Sequence, residues 1–386
     1  MDSSGAATPD RSLRIALAAP YDLARAGGVA SHIRAQARAL VARGHVACIF
    51  GPASAPIDTN ETAISGSTLL TYGGTESGLG LDVRAARRVA RLLAANHFDV
   101  VHVHEPLVPL VPWFVLRYAR APVVGTFHVH RERGHTLYPI ARPILGRLMR
   151  RVSYRIAVSG AARRTVAAHF PGAYEIIPNG IDLERFRRDA PRPAALTAGR
   201  AYVLSVGRLE ARKGVNHLIE AMAAVQREVP GTRLVIVGDG PERRALAAHA
   251  ESLNVDALFT GQVDDGDLPG YLQASDVVCA PAVGGESFGI VLLEAMACGK
   301  PVVASRIEGY DAVVGGGDCA SLVEPGDRRA LAGAIVSILL DANLRRALSV
   351  RAARAAQRFD WSTIAARLET IYLRLAARTV VTADAT

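Results

Sequence analysis

The sequence predicts an α/β protein made of two doubly wound parallel-sheet domains of similar size. Three observations predict it. Short β-branched runs alternate with longer helical stretches along nearly the whole chain, the pattern of βαβ units whose strands are covered on both faces. The alternation lapses once, in turn and proline-rich sequence between residues 178 and 200, and then restarts. Finally, 386 residues, 50% hydrophobic and 21% charged, suffice for two or three domains of roughly 100–200 residues and are too apolar for wholesale disorder.

The elements follow in order. Residues 13–19 read as a strand, Gly27-Gly28 as the turn after it, and a helix then runs to Arg43, closed by Gly44 as a C-cap. Strands are expected at 46–50, 99–103, 122–126, 154–158 and 175–177, with helices near 82–96, 140–151 and 160–169. Pro178-Asn179-Gly180 is turn chemistry. The stretch 187–200 has two prolines and little apolar periodicity, and reads as a linker. Beyond it come a strand at 202–206, a helix at 214–229, a strand at 233–237 and a helix at 241–252. Strands at 257–260, 277–280 and 301–304 follow, then helices at 327–340 and 343–358. A last helix starts near Trp361, with Asp360 or Ser362 in position to cap it. The domains are therefore expected at 13–190 and 191–360. Doubly wound sheets bind ligands outside the carboxyl ends of their strands, and two such halves facing each other would form an interdomain cleft.

Composition narrows the function. Lys and Arg outnumber Asp and Glu by 45 to 36, a formal charge of +9, which points to an anionic partner: nucleotide phosphates, nucleic acid or acidic lipid. Cys48, Cys279, Cys298 and Cys319 stand far apart with no CxxC, so neither a disulfide framework nor a zinc site is expected, and a reducing compartment is. Residues 1–11 lack the apolar core of a signal peptide. The longest apolar run, 107–116, is about half a membrane span and contains Pro109 and Pro112. A cytoplasmic location is expected.

Five motifs carry candidate chemistry. Gly27-Gly28-Val29, between a strand and a helix, would let a phosphate or sugar approach the backbone. In Gly207-Arg208-Leu209-Glu210-Ala211-Arg212-Lys213-Gly214, Arg208 and Lys213 could both reach a diphosphate and stabilise it as a leaving group. In the run from Gly284 to Glu294, two carboxylates, Glu286 and Glu294, flank a helix start and could accept hydrogen bonds from ligand hydroxyls. The amides of Phe288, Gly289 and Ile290 would face an anion there. His128, just past the carboxyl end of a strand, could bond a sugar hydroxyl or a developing charge, whereas His102 and His104 alternate with valines and read as core or supporting residues. Arg84, Arg87, Arg88 and Arg91, at i, i+3, i+4 and i+7, share one helical face suited to anionic lipid.

Taken together these motifs resemble the family-4 retaining glycosyltransferases of GT-B fold, whose signature is the Glu-x7-Glu pattern seen at Glu286–Glu294. Within that family the chain is similar to bacterial phosphatidylinositol mannosyltransferases. The likeness runs from about Arg14 to Tyr372 and includes Pro20-Tyr21, Ser31-His32, His104-Glu105-Pro106, Thr126-Phe127-His128, Ile177-Pro178-Asn179-Gly180, Arg212-Lys213-Gly214, Gly261 to Asp265 and Asp360-Trp361-Ser362. It implies two Rossmann-like domains, the first completed by a returning helix at 361–378.

The resemblance also implies roles. Arg208 and Lys213 would hold the diphosphate of GDP-mannose, Glu286 the sugar hydroxyls and Glu294 the ribose. Ser287, Phe288, Gly289 and Ile290 would line the sugar and phosphates, Val263 and Asp265 the base. Gly28 would admit the diphosphate, His128 would sit beside the reacting sugar, and Tyr21 would pack on the inositol of the acceptor. Arg84, Arg87, Arg88 and Arg91 would dock the enzyme on the inner face of the membrane. No cofactor or metal held by protein ligands is expected, with room for a divalent cation at the diphosphate. The mannosyltransferases place a guanine-binding lysine three residues after the position of Asp265; here it is Leu268. A UDP-sugar with another acceptor is the alternative within the family. An oxidoreductase is disfavoured by the missing GxGxxG, and a nucleic-acid module by the absence of aromatic residues interleaved with the arginines.

Overall fold

In the computed structural model, residues 11–25, 27–72, 75–79, 82, 84–130, 138–315 and 318–383 are described. They form two compact units, one running to Gly180 and resuming at Trp361, the other Ile181–Asp360. The break falls at 180/181 and not at the expected 190/191. The reason is packing: Ile181, Leu183 and Phe186, ahead of the expected boundary, are buried in the core of the second unit, and Leu196 of the supposed linker is buried there too.

The first unit contains β1 (Arg14–Ala18), α1 (Gly28–Ala42), β2 (Val46–Pro52), β3 (Glu61–Ser65), β4 (Thr68–Tyr72), β5 (Thr75–Leu79), α2 (Ala85–Ala95), β6 (Val100–His104) and α3 (Val111–Tyr118). It continues with β7 (Val123–Phe127), α4 (Tyr138–Met149), β8 (Val152–Ala157), α5 (Gly160–Ala167) and β9 (Glu175–Ile176). Seven strands form one sheet in the order β3-β2-β1-β6-β7-β8-β9, every pairing parallel. β4 and β5 form a separate antiparallel hairpin. Period-two alternation feeds both faces: Ile15 and Leu17 enter one core, Ala16 and Ala18 the other.

The second unit contains α6 (Leu183–Arg187), β10 (Tyr202–Val206), α7 (Val215–Glu228), β11 (Arg233–Val237), α8 (Arg243–Ser252), β12 (Ala257–Gly261), α9 (Leu268–Ala274) and β13 (Val277–Ala280). Then come α10 (Ile290–Ala297), β14 (Val302–Ser305), α11 (Glu308–Val314), β15 (Ser321–Val323), α12 (Arg328–Leu340) and α13 (Ala342–Ala356). Its sheet order is β12-β11-β10-β13-β14-β15, again all parallel. The last helix, α14 (Trp361–Ala383), belongs to the first unit. Its apolar stripe of Trp361, Ile364, Leu368, Ile371, Tyr372 and Leu375 is buried in one core with Leu13, Ile15, Ile33 and Leu40. Side chains buried to that degree contribute about 1.5–3 kcal/mol each, which is why the chain returns after Asp360.

In each unit the strand order reverses beside the first strand: β1 lies between β2 and β6, and β10 between β11 and β13. The crevices at these reversals are where doubly wound sheets take ligands. Gly27-Gly28 follows β1 and His104 ends β6; Gly207 follows β10, and the Gly284–Gly289 loop follows β13.

Candidate active site

The loop after β10 tightens into a single 3-10 turn, Ala211–Lys213, before Gly214 caps α7 in left-handed geometry. The loop presents three cations, Arg208 ahead of the turn and Arg212 and Lys213 within it, and two carboxylates organise them. Glu210, buried, has Arg208 Nε 2.9 Å from its Oε1 and Arg212 Nε 2.9 Å from its Oε2. Glu286 Oε1 pairs with Lys213 Nζ at 2.9 Å and with Arg212 Nη1. Arg208, Lys213, Glu286, Gly289, Ile290 and Tyr310 line one pocket of the second unit.

Glycine builds the other wall. Gly289 has φ +86 as the N-cap of α10, and a Cβ there would meet Tyr310 Cδ1 at 2.6 Å. The first N–H groups of α10, Ile290 included, lack intrahelical acceptors and favour an anion. The side chain of Phe288 is buried and meets Phe359 edge-on at 5.9 Å, which leaves its backbone, the group expected to face an anion, for a ligand. Burial and the neighbouring Glu286 carboxylate hold the Tyr310 phenol well above its usual range.

Glu294, about one turn into α10, is pushed up to about 7 by burial, with Arg185 opposing and the smaller effect of Asp265 adding to the rise. Arg185 also donates to the main-chain oxygen of Asp265, so Arg185, Asp265 and Glu294 form a second polar group in the same unit. Asp265 is exposed and Val263 half-buried. Leu268 opens α9 and packs on the core; its side chain contributes to stability there.

In the first unit His128 is buried, as expected of a residue closing the end of β7. Its Nε2 lies 2.9 Å from His104 Nδ1, and its backbone N–H and that of Val129 both donate to Glu105 Oε1. Glu105 is buried at φ +47, backbone strain of the kind held at functional sites. His102 stacks on His104 with ring centroids 4.5 Å apart and bonds Thr126 Oγ1 at 2.6 Å, Tyr372 Oη at 2.5 Å and Gln36 Nε2 at 3.0 Å. His102 and His104 are both buried within this group.

His32, on α1, completes the group, with ring centroids 4.8 Å from His128 and 4.9 Å from Trp361. Burial holds His32 down to about 4 and His102 to about 3, and keeps His104 and His128 well below the usual range. These are neutral imidazoles at pH 7. The ligand atoms of His32, His104 and His128 lie within 4.8 Å of one another and are the group among the described residues most able to gather round a metal ion. The His104–His128 hydrogen bond occupies one nitrogen on each of those two rings.

Gly28, the first residue of α1, has no atom within 4 Å of the position a Cβ would take. Tyr21 is half-buried in the loop after β1, and Ser287 half-buried in the loop before α10. Arg84, Arg87, Arg88 and Arg91 are exposed, with Ala85 and Val89 of α2 turned into the core. Arg88 is partly tied down, donating to Ile64 O at 2.9 Å and lying 3.7 Å from Asp82.

Sequence reasoning missed the roles of Glu210, Arg212, Glu105, His32 and Tyr372. The first two lay inside a motif already singled out. Buried Tyr372, by contrast, looks like any apolar position of an amphipathic helix.

Two doubly wound parallel sheets, one with a cationic loop and a glycine-opened helix at its strand reversal, define a GT-B glycosyltransferase. Residues 26–185 match the family described as Glycosyltransferase Family 4 and residues 186–355 that described as Glycosyl transferases group 1. The chain is 36% identical over 363 residues to a phosphatidyl-myo-inositol mannosyltransferase of Mycobacterium leprae, covering 93% of this chain and 96% of that one. It is 31% identical over 381 residues to a glycogen synthase of Mycobacterium tuberculosis, covering 90% and 91%. Among solved structures it is similar to a sucrose-phosphate synthase from Thermosynechococcus elongatus, with TM-score 0.72 and 25% identity over 95% of this chain and all of that one. The chain belongs to glycosyltransferase family 4.

Proposed function

We propose that this enzyme transfers mannose from GDP-mannose to the inositol of phosphatidyl-myo-inositol at an anionic membrane surface, with retention at the anomeric carbon. The observation that carries the reading is the chain-long similarity to phosphatidyl-myo-inositol mannosyltransferases, at 36% identity over 93% of the chain. The geometry supports it at the donor end. Arg208 and Lys213 beside the first turn of α10 form a cationic seat for a diphosphate, needing no group that must be deprotonated.

In this reading the bond between the sugar anomeric carbon and the diphosphate oxygen breaks as negative charge builds on the leaving GDP. Arg208 and Lys213 stabilise that charge. The acceptor hydroxyl attacks the same face of the sugar, and its proton passes to the leaving phosphate oxygen, so no side-chain base is required. Glu286 orients the sugar through its hydroxyls, Glu294 the ribose, Val263 and Asp265 the base. Ser287 and the Phe288–Ile290 backbone line the sugar and phosphates. Gly28 leaves room for the diphosphate, Tyr21 packs on the acceptor ring, and His128, neutral in its buried hydrogen-bonded group, donates to or accepts from the transferred sugar. A divalent cation, if recruited, would be held by the diphosphate. The exposed Arg84, Arg87, Arg88 and Arg91 face supplies attraction to acidic headgroups. Among the described residues no helix is long and apolar enough to cross a membrane.

One observation favours a second reading, a UDP-sugar donor with a different acceptor: Leu268 is committed to the core and offers a guanine nothing to bond. Calorimetric titration with GDP, UDP and ADP tests the choice. Tight binding of GDP alone supports the mannosyl donor, and preference for UDP overturns it.

A further inference from the structure

The cations of the donor site are paired with two carboxylates that differ in position. Glu210 is fixed: its side chain is 8% exposed, its Oε2 accepts from Arg212 Nε at 2.9 Å, and its Oε1 stands 2.9 Å from Arg208 Nε as an ion pair without hydrogen-bond geometry. Glu286 lies on a loop after β13, and a single oxygen, Oε1, meets both Lys213 Nζ at 2.9 Å and Arg212 Nη1. Arg212 Nη1 also reaches the main-chain oxygen of Gly285 at 3.3 Å. The five side chains therefore form one chain of alternating charge, Arg208–Glu210–Arg212–Glu286–Lys213, with one more cation than carboxylate.

We infer that Glu286 is the exchangeable counter-ion of the diphosphate clamp and Glu210 its fixed support, so that loading a nucleoside diphosphate replaces Glu286 Oε1 at Lys213 with a phosphate oxygen. The inference rests on the reading of this pocket as the donor-diphosphate site. A carboxylate oxygen and a phosphate oxygen make the same demand on an ammonium group, a short charge-assisted hydrogen bond. Both cannot have the same Lys213 proton. Once displaced, Glu286 is a half-desolvated carboxylate with its acceptor capacity unused, and the hydroxyls of a donor sugar satisfy it. A nucleoside diphosphate without its sugar strips Glu286 of Lys213, leaves it only Arg212, and returns nothing for the lost bond. The arrangement thus favours the intact donor over the spent nucleotide, and helps release the product. Glu210 plays the opposite part. It holds Arg212 by a hydrogen bond and Arg208 by charge, and neither contact changes during the exchange.

Two substitutions of identical chemistry should therefore act with opposite sign. E286Q removes the competitor and should tighten GDP binding about 10-fold, while weakening the preference for GDP-mannose over GDP. E210Q leaves a single acceptor oxygen and puts an amide N–H₂ against a guanidinium, so it should weaken GDP binding about 10-fold. Simple removal of negative charge from a cationic pocket would tighten both. The experiment is calorimetric titration of the wild-type chain, E286Q and E210Q with GDP, GDP-mannose and GMP, UDP and UDP-glucose replacing them if wild type prefers UDP. Opposite shifts for the diphosphate, with GMP little changed, support the exchange. Shifts of the same sign, or a GDP affinity of E286Q no tighter than wild type, overturn it. If E210Q does not fold, the E286Q arm decides alone: tighter GDP with GMP little changed and a weakened preference for GDP-mannose supports the exchange, and equal tightening of GDP and GMP, or none, overturns it. A wild-type chain that binds none of the nucleoside diphosphates overturns the donor-site reading itself, which separates that failure from this one.

Discussion

Gly309→Ala sets two physical effects against each other. Gly309 is the second residue of α11. By helix propensity alone, alanine there should stabilise the protein by about 0.5–1 kcal/mol. The structure says otherwise. A Cβ at Gly309 would stand 1.8 Å from the main-chain oxygen of Glu286, 2.5 Å from its carbonyl carbon and 2.9 Å from its Cβ. Because the obstructing atoms are backbone, no change of rotamer relieves the clash, and either the Glu286 loop or α11 must retreat by more than about 1 Å to reach van der Waals contact. Overpacking of this kind costs about 1–3 kcal/mol, enough to reverse the propensity gain. The larger effect falls on activity. The loop carries Glu286 and leads into Gly289, and a displacement of about 1 Å at a positioned group costs on the order of 10²-fold in rate. Thermal unfolding and steady-state transfer kinetics on the purified variant measure both. A G309A enzyme with wild-type turnover and a raised melting temperature would refute the claim that close packing of α11 sets the position of Glu286.

Lys213→Ala should lower turnover about 10²–10³-fold with a smaller change in melting temperature, and near-normal turnover would remove Lys213 from the leaving-group machinery. The neutral histidine cluster gives stability a defined pH dependence. With His32 lowered to about 4 and His102 to about 3 from 6.5, the unfolded chain takes up protons below about pH 6.5 that the folded chain refuses. Stability is therefore fully present above that pH and falls as pH drops through about 4 and 3. Urea midpoints that stay level from about pH 7.5 to 5 would contradict this. Glu294 runs the other way. Its folded value near 7 means that a ribose diol, which favours the carboxylate, should expel a proton on nucleotide binding below that pH. Binding enthalpies should then differ between buffers of different ionisation enthalpy, and the difference should vanish in Glu294→Gln. Replacing Arg87, Arg88 and Arg91 by Ser should reduce sedimentation with vesicles rich in anionic lipid, and equal pelleting of the triple variant would refute the docking face.

Much of the fold is legible in the sequence because parallel strands buried on both faces are nearly continuous apolar runs. Val277–Ala280, lodged between β10 and β14, is such a run. What was not legible is short or irregular. β3 and β15 are edge strands without a continuous apolar run, the last only Ser321–Val323. α3 and α9 begin with prolines, Pro112 and Pro269, that read as breakers until the missing N–H is seen to fall in the first turn. The segment 187–200 carries the prolines of a linker, yet Leu196 is buried.

The candidate site divides in the same way. Arg208, Lys213, Glu286 and Glu294 are visible because glycines and charges cluster at the carboxyl ends of strands. The pairing of Lys213 with Glu286 joins residues on two loops far apart in the chain, one after β10 and one after β13, and no local pattern announces it. His32 meets His104 and His128 only because β1, β6 and β7 are neighbours in the sheet. Similarly, the hydroxyl of Tyr372 finds His102 and Gln36 only once α14 returns to the first unit.

The central claim, mannosyl transfer to an inositol phospholipid, is tested most directly by incubating the purified chain with radiolabelled GDP-mannose and vesicles containing phosphatidylinositol, then counting label in the extracted lipid. The account predicts a mannolipid that requires phosphatidylinositol, with label that stays in the lipid after mild extraction and is lost in the Lys213→Ala variant. Label that remains water-soluble while a UDP-sugar is consumed in its place would contradict the donor and the acceptor together, and would leave standing only the GT-B fold and the glycosyltransferase class.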